Sequence, residues 1–275
     1  MHYHTHSLLT KATVVLALAS LVSCQKSPTY ETRDDFKKYY DGYHVSGSFV
    51  LYDLNRNNYL LYNREQFHQP FTPASTFKIC NSLIGLETGV IKDADFVIPW
   101  DSVVRPLASW NRDHNLRSAF RNSAVPYYQE LARRVGGERM KYWLEKAHYG
   151  NADTSGGIDR FWLDGGLRIS PAQQIDFLQR LYREELPFSK RSMEIVKDIM
   201  IARDTLGVLL RAKTGRSEQD GKQIGWYVGY LEKKGNVYFF SNCLQSSDSS
   251  IPDFAGARIV ITYKILADLA LVPGP

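Results

Sequence analysis

The chain has 275 residues, 44% of them hydrophobic and 23% charged, proportions that exclude disordered, collagen-like and coiled-coil classes and allow a sizeable core. That length is near the size at which one core divides into two lobes. Thirty-four Lys and Arg against 29 Asp and Glu leave a formal charge of +5, but Lys37-Lys38, Arg133-Arg134, Lys190-Arg191 and Lys233-Lys234 are scattered among acids, which suits a small anionic substrate and excludes a nucleic-acid stripe.

In chain order, Met1 to Lys11 carries no acid, Ala12 to Val22 is apolar, and Ser23 precedes Cys24. The apolar run is far shorter than the roughly 20 residues needed to span a bilayer, so residues 1–23 read as a secretory signal and the protein is expected in the periplasm. Leu21-Val22-Ser23-Cys24 resembles a bacterial lipobox. Lipidation would make Cys24 the new N-terminus and attach the chain to the outer membrane through a polar tether, residues 24–33. Plain cleavage near the same place would leave a soluble periplasmic protein. No internal segment reads as membrane-spanning. Cys80 and Cys243 lie in apolar runs and read as buried thiols, with one disulfide as the alternative. No Cys-x-x-Cys and no metal-ligand spacing occurs, so no metal is expected.

Gly47 to Leu54 and Asn58 to Tyr62 are strand-like and joined by Asn55-Arg56-Asn57, the pattern of a hairpin. From Thr72 to about Arg203 the pattern changes to helix: Val125 to Val135, Glu138 to Ala147, Ser170 to Glu184 and Lys190 to Ile201 carry a 3.6-residue apolar spacing. Strands return at Leu209 to Thr214, Ile224 to Leu231 and Asn236 to Cys243, and Phe254 to Leu271 suits a final helix. This order predicts an α+β fold: a mainly antiparallel sheet of five to seven strands built from both chain ends, flanked by helices, with an all-helical insertion. The domain is expected over 34–275, its α/β part at about 34–72 and 204–275 and its helical part at about 73–203.

Ser75-Thr76-Phe77-Lys78 follows Pro73 and precedes a helical spacing, which places Ser75 and Lys78 on one face. A serine hydroxyl is a poor nucleophile unless a neighbour takes its proton. A lysine with a pKa of about 10.4 cannot do so at neutral pH unless burial lowers it, by up to about 3 to 5 units. Taken alone, the tetrapeptide reads as a capping serine followed by a solvated lysine. Lys213-Thr214-Gly215 ends a strand-like run; its Lys and Thr can meet a carboxylate and its Gly permits close backbone approach. Alone, it reads as a surface strand end. Both motifs in this order on these elements are much harder to obtain by chance.

With both motifs in place, the chain resembles the penicillin-binding proteins and serine β-lactamases. The Ser-Asp-Asn of class A is absent, and Ser123-Ala124-Val125 stands there instead, as in class D, the oxacillinases. Tyr149-Gly150-Asn151, Phe161-Trp162-Leu163 and Gly225-Trp226 follow in family order, so the resemblance runs from about Asp41 to the C-terminus. It implies hydrolysis of penicillin-like β-lactams, and hence antibiotic resistance, with Ser75 as the acylated nucleophile. Lys78, in a pocket walled by Phe77, Val125 and Leu163, would combine with carbon dioxide or bicarbonate to give a carbamate, N6-carboxylysine, as general base. Trp162 would donate its indole N–H to that group. Ser123 would relay a proton to the leaving nitrogen, and the N–H groups of Ser75 and Arg216 would form the oxyanion hole. Thr214 and Arg258, with Lys213 and Gly215, would receive the substrate carboxylate.

Two departures stand out. The Glu-x-x-Leu-Asn segment with which class A enzymes activate water is missing, which leaves that step to Lys78. Arg216 follows the triplet where the family often has an aromatic or aliphatic residue, and Cys80 lies just beyond Lys78. The rival readings are a penicillin sensor and a D,D-peptidase, both acylated without fast release. Sensors are fused to a membrane-spanning region, and none is visible here. Substrate spectrum is expected to depend on loops around Ser102 to Asn115 and Arg216 to Gln223. Oligomeric state stays open.

Overall fold

The structure, a computed structural model, describes residues 1–2 and 27–273. Most of the expected signal peptide, with Cys24, lies outside the described residues. Strand β1 (Thr29–Thr32) and a short helix α1 (Lys37–Asp41) precede the hairpin of β2 (Ser46–Asp53) and β3 (Asn58–Tyr62). The hairpin closes where Asn57 adopts a left-handed φ of 51°, which asparagine tolerates better than most residues. Helix α2 (Lys78–Glu87) continues a 3-10 turn over Ala74–Phe77. The insertion then runs through β4 (Val97–Ile98), β5 (His114–Asn115), α3 (Leu116–Arg121), α4 (Val125–Val135), α5 (Gly137–Lys146), α6 (Pro171–Tyr182) and α7 (Lys190–Ile199). Strands β6 (Ile201–Thr205), β7 (Val208–Gln219), β8 (Lys222–Lys233) and β9 (Asn236–Ser246) return to the sheet, and α8 (Phe254–Asp268) covers it.

Local chemistry sets these boundaries. Ser170 caps α6 in a reciprocal box with Gln173, ahead of Pro171 at the first helical position. The Asp253 side chain accepts the Gly256 N–H at the start of α8. The seven-stranded sheet has the order β1-β3-β2-β9-β8-β7-β6. It is antiparallel throughout except where β1 pairs with β3. The class is therefore the expected α+β one, with the sheet drawn from both ends of the chain, but the insertion is not all-helical: β4 and β5 pair in it as a small antiparallel sheet.

Apolar layers cover both faces. Phe77, Leu83, Tyr128, Trp162 and Phe177 pack between sheet and helical insertion, while Phe36, Phe49, Leu210, Phe240, Ile261 and Ile265 pack under α1 and α8. Burial on both faces explains why β8 and β9 carry long apolar runs. Cys80 and Cys243 are free and buried, as the thiol reading expected.

Four boundaries differ from the sequence expectation. Thr29–Thr32 of the tether forms edge strand β1. Ile201 does not end a helix but begins β6. Lys213-Thr214-Gly215 lies in the middle of β7, which continues to Gln219. Most of the expected loop at Arg216 to Gln223 is a β7–β8 hairpin paired from Arg216 with Gly225 to Gln219 with Lys222.

Candidate active site

Ser75 sits in the 3-10 turn that leads into α2. The residue before it, Ala74, has a φ of 49°, a strained conformation for a residue with a Cβ, and such strain persists only where the surroundings fix it. Here the Ala74 N–H donates to the Trp162 carbonyl at 3.0 Å. Thr76 donates through Oγ to the Pro73 carbonyl and accepts from Gln174 Nε2. The turn is thus tied to the Trp162 loop and to α6.

That loop is itself pinned by Tyr149-Gly150-Asn151. Gly150 has a φ of 56° and passes so close to the Arg168 carbonyl that a Cβ would collide with it. The Asn151 N–H donates to that carbonyl, its Oδ1 accepts from the Arg168 N–H, and its Nδ2 donates to the Gly166 carbonyl. Phe161 and Trp162, both fully buried, pack with Phe77 at ring separations of 5.2 and 5.3 Å. Phe77 therefore lies in the aromatic cluster behind the site, while Val125 and Leu163 line the cavity itself.

Lys78 is fully buried, and its Nζ donates to Ser75 Oγ at 2.9 Å. The amine also lies 5.0 Å from the Tyr128 ring centroid, and no carboxylate forms an ion pair with it among the described residues. Burial alone pushes it down to about 7. Lys213 is 5% exposed and donates to Ser123 Oγ at 2.7 Å. Burial, followed by the charges of Lys78 and Arg258, holds it well below the usual lysine range. Two buried amines therefore each face a serine hydroxyl, with no acid among the described residues to neutralise them.

Strand β6 pairs with β7 only as far as Arg211. Beyond it the edge of β7 is left for the Ser75 turn. The Ala212 N–H donates out of that edge to the Met200 carbonyl, so the two-residue alternation directs the N–H groups of Thr214 and Arg216 to the same side. Gly215 lets the two segments meet: a Cβ there would lie 2.8 Å from the Pro73 carbonyl oxygen and 3.1 Å from Thr76 Cγ2. Gly215→Ala should therefore move the strand away from Ser75 and lower kcat/KM by about 10- to 100-fold, since a displacement near 1 Å can cost that much. Its thermal midpoint should fall only modestly; steady-state kinetics beside a melting curve check both.

Ser75, Ser123, Val125, Leu163, Thr214, Gly215, Arg216 and Arg258 all border one cavity of about 560 Å3. Lys78 and Lys213 lie beneath its floor as partners of Ser75 and Ser123. Trp162 is in the buried wall, and its Nε1 has no hydrogen-bond partner among the described residues. Leu107, Trp110, Glu218, Gln223 and Ser249 also line the cavity and carry no sequence signature of chemistry. Trp110 and Leu107 fall in the segment expected to shape the spectrum, and Trp110 is anchored by its Nε1 donating to the Asn122 carbonyl, next to Ser123. No group of His, Cys, Asp and Glu suited to a metal occurs among the described residues.

A nucleophile-bearing turn at a free sheet edge, with an amine lowered by burial at hydrogen-bond distance, defines a serine acyl-transfer enzyme. Comparison with known proteins narrows this. The family of penicillin binding protein transpeptidase domains matches residues 32–266. β-Lactamase OXA-48 of Klebsiella pneumoniae is 40% identical over 260 residues, 94% of this chain and 97% of that protein. The class D β-lactamase of Sebaldella termitidis superposes with a TM-score of 0.86 at 37% identity, covering 90% of this chain and 100% of that one. The C-terminal domain of the Bacillus licheniformis BlaR penicillin receptor superposes with a TM-score of 0.84 at 33% identity, covering 90% and 99%. The chain belongs to this family and, within it, to the class D serine β-lactamases.

Proposed function

We propose that the protein hydrolyses the amide of penicillin-like β-lactams through a Ser75 acyl-enzyme, with carbamylated Lys78 as the general base, and so confers antibiotic resistance. The observation that carries this reading is Lys78: fully buried, without an ion-paired acid among the described residues, and 2.9 Å from the nucleophile. At pH 7, an amine pushed down to about 7 is about half neutral, whereas one at the ordinary value is neutral to less than about one part in a thousand. Only the neutral amine reacts with carbon dioxide. The buried, unpartnered Nε1 of Trp162 is a donor without an acceptor, which suits an anionic group on Lys78. Carbamylation would give Lys78 a base able to accept the Ser75 proton and later a proton from water.

The remaining roles follow from the chain's own groups. Ser123, held by Lys213, returns the proton to the leaving nitrogen. The N–H groups of Ser75 and Arg216 hold the developing oxyanion, a role typically worth about 3 to 4 kcal/mol per donor. Thr214 and Arg258 receive the substrate carboxylate. Val125 and Leu163 keep the mouth of the site dry. Export to the periplasm, with Cys24 lipidated or the signal peptide simply cleaved near the same place, belongs to this proposal and is supported by the pattern of residues 1–24. Among the described residues, no helix is long and apolar enough to cross a membrane.

The sign of the pH dependence follows from the neutral amine being the reactive form, and the lowered value sets the range. The neutral fraction of Lys78 falls as pH drops through about 7, by about tenfold per unit at fixed carbon dioxide. Activity should therefore fade on the acid side and return on adding bicarbonate. A 13C resonance from labelled bicarbonate should appear in parallel, and indifference to bicarbonate would remove the carbamate from the mechanism. The similarity to the BlaR receptor supports a second reading, a domain acylated once and released slowly. Mixing the protein with a chromogenic cephalosporin separates the two: many turnovers for the hydrolase, one stoichiometric burst for the receptor.

A further inference from the structure

Side chains on β7 alternate between the two faces of the sheet. Lys213 points to the helical side, toward Ser123 and Phe120, and Ala212 belongs to the layer under α8. Arg216 and Glu218 share the parity of Ala212. Arg216 is exposed, and its guanidinium donates to Gln223 Oε1 at 2.6 Å and lies 6.0 Å from the Phe254 ring centroid. Arg258 rises from the next turn of the same helix. Its Nη1 donates to the Gly215 carbonyl, while its Nε is buried without a hydrogen-bond partner among the described residues. Burial first and the charge of Arg216 second lower Arg258 to about 10, with Asp253 acting the other way, so the two guanidiniums sense one another. No acid forms an ion pair with either among the described residues. Glu218 lines the same cavity, and Asp253 lies close enough to Arg258 to offset part of its charge.

We propose that Arg216 is a specificity-determining residue: a second cation at the carboxylate end of the cavity that selects against β-lactams carrying a fixed positive charge beside the ring carboxylate. The inference rests on the reading that Thr214 and Arg258 receive that carboxylate. The substrate carboxylate and Asp253 both face Arg258, whereas Arg216 is exposed, has no ion pair among the described residues and keeps its charge at the rim. In a cephalosporin the variable C3 substituent sits on the carbon next to the one bearing the carboxylate, so it is carried to the same rim. A cationic group there meets Arg216, a neutral one is indifferent to it, and an anionic one is attracted. Glu218 opposes this field from two residues further along the strand. The two side chains should therefore affect the preference with opposite signs, which a merely structural role for either would not produce.

The test uses two cephalosporins with the same thienylacetamido side chain, one with acetoxymethyl and one with pyridiniomethyl at C3. The quantity read is the ratio of kcat/KM, neutral over cationic, within each enzyme. Differences intrinsic to the compounds cancel between enzymes, as does a general loss caused by the substitution. Arg216→Gln should lower the ratio by about 3- to 10-fold, the effect of one unit charge at partly screened range. Glu218→Gln should raise it by about 2-fold or more, and high salt should compress it in the wild type but not in Arg216→Gln. For a compound released slowly, the rate of Ser75 acylation by mass spectrometry gives the same ratio. A ratio unchanged by Arg216→Gln while both compounds still acylate the enzyme overturns the inference. Failure of the wild type to be acylated by either compound overturns the proposed reaction instead.

Discussion

Ser75→Ala should lower turnover of a chromogenic cephalosporin by at least about 10⁴-fold and abolish the covalent adduct, since losing a serine nucleophile has cost about 10⁶-fold in kcat elsewhere. The cavity offers a second serine with a buried amine, because Ser123 accepts from Lys213 at 2.7 Å. Geometry separates the two. Ser75 stands at the start of a 3-10 turn that runs into α2, opposite the free edge of β7 where the Arg216 N–H emerges. A carbonyl attacked by Ser75 Oγ would place its oxygen between those two backbone donors. Ser123 has a φ of 52°, in the link between α3 and α4, and lacks that edge. Ser123→Ala should accordingly slow the reaction while leaving the Ser75 adduct visible by mass spectrometry. Substantial turnover in Ser75→Ala, or an adduct on Ser123, would reverse the assignment.

The chemistry was legible because a reaction constrains residue type more tightly than a fold does. Ser75, Lys78, Lys213 and Gly215 could be read from their types and spacing and Ser123 from the family resemblance, and the structure gathers them around one cavity or beneath its floor. Helices with a long apolar face, such as α4, were equally plain. Strands with neither face fully buried were not. Thr29–Thr32 is exposed at every position, and the end of β7 from Arg216 to Gln219 is held by its backbone register with β8. Neither leaves an alternating apolar trace. Ile201 continues a helical spacing, but the adjacent Met200 carbonyl accepts from the Ala212 N–H, and the chain turns into the sheet there. The left-handed Ala74 was invisible because alanine is not the residue that such a conformation favours. Trp110 and Glu218 lie in the two segments expected to set the spectrum but could not be singled out there: they shape and charge the cavity, roles that many residue types can fill.

Lys78→Ala should reduce kcat by about 10³- to 10⁴-fold, the upper range of what a positioned base supplies, and should do so in both chemical steps. The argument is one of charge. A lysine with no ion-paired acid among the described residues, buried against Tyr128 and pushed down to about 7, contributes little as a cation. What it supplies is a neutral nitrogen next to Ser75 Oγ. Without it the hydroxyl keeps its proton during attack, and any ester that forms has no base to activate water. Acyl-enzyme should then form slowly and persist, visible as a stable mass increase on Ser75 after the free antibiotic is removed. Bicarbonate should not restore activity, whereas in the wild type it should recover what is lost at acid pH. Folding offers an independent control: removing an amine that is costly to charge in this environment leaves no unpaired acid behind, so the thermal midpoint should change by no more than a few degrees. A Lys78→Ala enzyme that turns over within about tenfold of the wild type would show that another group carries the proton.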